Sequence, residues 1–75
     1  MNLYLLTRTD NVGYDEFDSF VIAANTEEEA LALKRPEPDD NYPTWAQDKD
    51  VEVKLIGTTT EYTEPTDILG SFNAG

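Results

Sequence analysis

The chain has 75 residues, sixteen acidic against five basic, with no histidine and no cysteine, for a net charge of −11. That length builds one small domain, 1–75, with a modest core, which no disulfide or thiolate zinc site can brace. A surface this negative repels phosphate backbones and anionic membranes, so neither direct nucleic-acid binding nor membrane docking is expected, and a basic partner is its natural complement.

Residues 2–9, NLYLLTRT, read as a first strand, a central one. Leu3 and Leu5 point to one face and Tyr4 and Leu6 to the other, so both faces are at least partly covered at this end. Residues 10–16, DNVGYDE, carry turn chemistry in Asp10, Asn11 and Gly13 and should join two antiparallel strands as a hairpin. In the second strand Phe20, Ile22 and Ala24 share a face, with Asp18 and Ser19 exposed near its start. The period then changes. Thr26 followed three residues later by Glu29 is a capping box, in which the threonine side chain accepts from the first turn and Glu29 reaches back to the amide of Thr26. Glu27, Glu28 and Glu29 at the start, Lys34 and Arg35 at the end, and Pro36 beyond frame one short helix, with Ala30, Leu31 and Leu33 toward the sheet.

Residues 35–50 form a proline-rich acidic loop with prolines at 36, 38 and 43. Its Tyr42 and Trp45 either fold back over the core edge or face a partner. VEVKLIG, residues 51–57, alternates as a third strand with Val51, Val53 and Leu55 inward and Glu52 and Lys54 outward. A threonine-rich connection containing Tyr62 leads to residues 67–75, DILGSFNAG, a fourth strand in which Gly70 marks a bulge or a close backbone approach. The expected architecture is α+β: β-β-α-β-β, a four-stranded antiparallel sheet with one helix packed on one face.

Catalytic equipment is sparse. Without histidine or cysteine the usual neutral-pH base, thiol nucleophile and commonest metal ligands are missing, and the acids lie in turns, loops and a helix start where water keeps them ionised. The four glycines are scattered and none opens a helix, so there is no phosphate-cradling loop, and DNVGYDEFD matches no calcium-binding loop pattern. The chain is expected to be no enzyme and to hold no cofactor or metal. No apolar run approaches the length of a signal segment or membrane span, which points to the cytoplasm.

The acids matter instead as a distribution. Carboxylates spaced along a rigid surface can imitate a phosphate backbone, whose axial charge spacing in a duplex is about 1.7 Å. Candidate partner-binding residues are Asp10, Tyr14, Asp15, Glu16 and Asp18 in the hairpin, Glu37, Asp39, Asp40, Tyr42 and Trp45 in the loop, and Asp48, Asp50 and Glu52 leading into the third strand.

The wording TRTD, GYDEFD and ILGSFNAG resembles short acidic hypothetical proteins of bacteriophages and prophages, over most of the chain outside the proline loop and the threonine segment. That resemblance implies a setting, an infected bacterial cell, and transfers no functional residues. In size and acidity the chain is similar in general character to anti-CRISPR proteins and other inhibitors of bacterial defence, some of which mimic nucleic acid. The expectation that follows is an inhibitor occupying the basic nucleic-acid groove of a host nuclease or surveillance complex. The alternative is a small structural or accessory phage component whose acidity serves solubility alone.

Overall fold

The computed structural model describes residues 1–73, so the last two residues of the expected fourth strand, Ala74 and Gly75, lie outside the described residues. Four strands, β1 (Asn2–Arg8), β2 (Glu16–Ala24), β3 (Val51–Thr58) and β4 (Thr66–Asn73), form one antiparallel sheet in the order β3-β1-β2-β4. One helix, α1 (Glu27–Lys34), lies over β2 and β1. This is the expected α+β class, but a 3-10 turn at Asp48–Asp50 interrupts the run between α1 and β3 that the sequence reads as loop, so the order is not the plain β-β-α-β-β.

The register explains which residues form the core. Leu6 stands opposite Phe20 and Tyr4 opposite Ile22, while on the other side of β1 Val53 meets Leu6. These residues share the helix-side face; Tyr4, Leu6, Phe20 and Ile22 with Ala24, Ala30 and Trp45 make the buried cluster, flanked by Phe17, Leu31, Val51 and Val53. Ala30 is fully buried because its methyl group lets the helix approach the sheet closely. Leu33 and Leu55, expected inward, are 41 % and 56 % exposed. Two turns of helix are too short to roof the whole sheet, and Leu55 sits on an edge strand beside a bulge in the β1–β3 pairing.

The helix cap departs from expectation by one residue. Thr26 Oγ1 accepts from the Glu29 amide at 3.1 Å, but the Glu29 carboxylate accepts from the amide of Asn25, not of Thr26. Lys34, at the last turn, reaches across to Asp67 at 2.9 Å and lies 4.4 Å above the Phe20 ring. Asp18 and Ser19, expected exposed, are half-buried because β4 runs alongside them, and the Ser19 hydroxyl donates to Asp18.

Phe20 is enclosed on several sides. Its ring lies 4.7 Å from Phe17 and 4.8 Å, edge-on, from Trp45. Gly70 is its partner on β4, and a Cβ there would come within 2.7 Å of Phe20 Cε1 and 3.0 Å of Phe17 Cε1. The close approach expected at this glycine is therefore an aromatic ring seated against bare backbone. Gly70→Ala is expected to destabilise the fold by about 1–3 kcal/mol through overpacking, read as a lower urea midpoint with unchanged slope. A midpoint equal to that of the parent would show that the rings can move aside.

Candidate functional site

A cleft of about 680 Å³ opens between the β1–β2 turn and the proline loop. It forms because the loop is fastened to the sheet in three places. Trp45, 6 % exposed, is inserted in the core; the Phe17 amide donates to the Thr44 carbonyl at 2.9 Å; and the Thr9 amide donates to the Asp50 carbonyl at 2.8 Å. Between these ties, Tyr42 is left 90 % exposed on one wall, facing the same cleft as Tyr14, 78 % exposed, in the turn opposite.

The turn is organised by Arg8, the last residue of β1. Its guanidinium grips Asp10 through Nε at 2.8 Å and Nη2 at 2.9 Å, donates from Nη1 to Glu16 at 2.8 Å, and reaches the carbonyls of Phe17 and Asn11. These five contacts match the five N–H groups that an arginine carries. The side chain is only 6 % exposed, and the turn residues wrap it. Glu16 also accepts from the Gly13 amide, and the turn is pinned from β4: the Asp15 amide donates to the Asn73 carbonyl and the Asn73 side chain donates to the Gly13 carbonyl. Asp15 adopts a left-handed conformation with φ of 61°, which aspartate tolerates better than most residues.

The ion pairs set the local protonation. The Arg8 guanidinium holds the Asp10 carboxyl below its ordinary range by direct hydrogen bonding, and does the same to Glu16 with help from the Gly13 amide. Arg8 itself is raised, chiefly by the Asp10 bond, and Arg35 is raised by Asp48 and then Glu28.

The cleft gathers Asp10, Tyr14, Asp15, Glu16, Tyr42, Trp45 and Asp50 from the predicted set. Their roles differ. Asp10 and Glu16 spend their charge on Arg8, and Trp45 is core and presents almost no surface. Asp48 lies outside the cleft, bonded to Arg35 at 2.6 Å, which ties the 3-10 turn to the end of α1. Asp40 accepts from the Tyr42 amide and so helps to hold that tyrosine outward. Glu37 and Asp39 are exposed farther back in the loop, Glu52 is exposed on β3, and Asp18 is half-buried in the β2 bulge. Sequence reasoning left Arg8 out. The signal was there: a lone base flanked by Asp10 and Glu16 in an otherwise acidic segment.

Four cleft carboxylates face one guanidinium, so the cavity is net negative, with two exposed phenol rings at its mouth. Such a site suits a cationic side chain, which gains from both the carboxylates and the faces of the tyrosine rings. Among the described residues no group of three or more acids converges as metal ligands, and no helix is long and apolar enough to cross a membrane. No protein-family model, curated protein or solved structure matches the chain.

Arg8→Gln is expected to cost about 1–2 kcal/mol at neutral pH, kept small because the carboxylates regain water. The sign with pH follows from the lowered carboxyls: their contribution is present above the unfolded values near about 4 and is lost as pH falls through the folded ones. The difference in urea midpoint between parent and variant should therefore shrink in acid. A gap of constant size would assign Arg8 a packing role alone.

Proposed function

We propose that the chain is a phage-encoded inhibitor that binds a basic, nucleic-acid-handling surface of a host defence complex and so competes with its nucleic acid. The single observation that supports this reading most is the cleft, where residues far apart in sequence bring unspent carboxylates, Asp15 and Asp50, together with the exposed Tyr14 and Tyr42. An arginine or lysine of the partner enters between the rings, and the exposed loop acids Glu37, Asp39 and Asp40 extend the negative surface beyond it.

The resemblance to short phage proteins and the general likeness to anti-CRISPR proteins supply the biological setting. The physics supplies the mode: steering by charge at a distance, then anchoring by aromatic rings at contact. Because Asp10, Glu16 and Asp48 are held by arginines of the chain itself, the mimicry rests on fewer acids than the composition implies.

Tagged chain should capture a basic nucleic-acid-binding host protein at low salt, release it as salt rises, and be displaced by nucleic acid added in excess. Asp15→Lys with Asp50→Lys, or Tyr42→Ala alone, should weaken capture tenfold or more, whereas Glu61→Lys with Glu64→Lys, in the connection between β3 and β4, should weaken it far less. Binding that ignores salt, tolerates the cleft variants or persists alongside nucleic acid would overturn the proposal.

A further inference from the structure

A second, smaller hollow lies beside the cleft. It has a volume of about 150 Å³ and opens between the end of α1 and the proline loop. Pro43, Thr44 and Trp45 line both it and the cleft, so this short run of chain is the wall between them. The rest of its apolar lining comes from Phe17, Leu33 and Pro36, with Phe20, 4 % exposed, offering only a sliver of its ring. Leu33 is the helix residue that two turns of α1 leave 41 % exposed, and its side chain is part of this hollow.

Two charged residues, Lys34 and Asp40, complete the lining. The Lys34 ammonium is neutralised by Asp67 at 2.9 Å and stands 4.4 Å from the centre of the Phe20 ring. Asp40 accepts from the Tyr42 amide through Oδ1 and keeps Oδ2 for another donor. One cation and one anion make the hollow neutral by its lining, whereas acids outnumber bases in the cleft. The two neighbouring sites therefore have different chemical complements.

We infer that the hollow seats a tyrosine side chain of the same partner whose cation enters the cleft, a pairing that rests on the reading of the cleft given above. Size, lining and charge agree on such a ring. About 150 Å³ is the volume at which an apolar cavity accepts a benzene ring. Proline and aromatic walls pack against a flat ring, and Lys34 supplies a cation for a ring face. Asp40 Oδ2 supplies the acceptor that a phenol O–H seeks once it leaves water. The rival occupants fit less well. A second cation is repelled by Lys34 and a carboxylate by Asp40, while a purely aliphatic side chain strips water from Asp40 and returns no donor. Because a single run of chain, Pro43 to Trp45, divides the two sites, one partner segment carrying a basic residue near a tyrosine reaches both.

para-Cresol, the tyrosine side chain in isolation, should move the magnetic resonance signals of Leu33, Phe17 and the Trp45 indole saturably, and methylcyclohexanol, of like size but with no ring face, should move them severalfold more weakly. Leu33→Gln, at a helix position already 41 % exposed, should weaken the cresol response severalfold, with circular dichroism confirming that the variant is folded. In a blocked peptide that joins tyrosine to arginine through a short glycine spacer, the arginine should tighten binding by about tenfold over the alanine version. No saturable shift, an equal response to methylcyclohexanol, or indifference to Leu33→Gln overturns the inference whatever the cleft binds. A hollow that seats cresol while the arginine of the peptide adds nothing overturns the reading of the cleft instead.

Discussion

The arrangement depends on what surrounds one ring. Phe20 sits in the middle of β2 with Leu6 opposite it, the bare backbone of Gly70 on its other flank, Trp45 edge-on above and the Lys34 ammonium over its face. Each neighbour comes from a different part of the chain, so seating this ring joins β1, β4, the helix end and the proline loop in one packing event. For a domain too small to have a redundant core, such convergence matters more than the count of apolar residues. The loop benefits most, because Trp45 is the large side chain it contributes to the buried cluster, an anchor reinforced by the backbone ties at Thr44 and Asp50.

Charge is divided by the same architecture into a spent and an unspent part. Arg8 and Arg35 each hold two carboxylates, one pair closing the β1–β2 turn and the other fastening the 3-10 turn to α1, while Lys34 takes Asp67. Three of the five basic residues thus act as internal fasteners. The carboxylates they leave over are outward ones, and those of the turn and loop flank a cleft with aromatic lips.

Much of this was legible in local pattern. Alternation located all four strands to within a residue or two, and Thr26 with its run of glutamates located the helix start, because these signals are set by neighbours a few residues apart. Gly70 was legible as a close approach, though not what approached it. The fate of Trp45 and Tyr42 was not, since only two residues lie between them in sequence and only contact with β2 decides that one is buried and the other is 90 % exposed. The same holds for Leu33 and Leu55, whose apolar character fits an inward position that a two-turn helix cannot cover. Strand order was out of reach because β3 and β4, adjacent in sequence, occupy opposite edges of the sheet. Of the candidate site, the acids and tyrosines were readable one by one; their meeting in a cleft, and the use of Asp10 and Glu16 to wrap Arg8, are products of tertiary structure.

The proline loop is locked to the sheet by Trp45 and is part of the cooperative core, so that the cleft is a preformed feature of the folded chain. With one tryptophan in the sequence, its fluorescence reports on that lock directly. The native emission should be blue-shifted and poorly quenched by acrylamide, and it should be lost on urea unfolding with the same midpoint as the far-ultraviolet circular dichroism of the sheet. A water-exposed emission spectrum in the native state, or a fluorescence transition well ahead of the loss of strand signal, would contradict it.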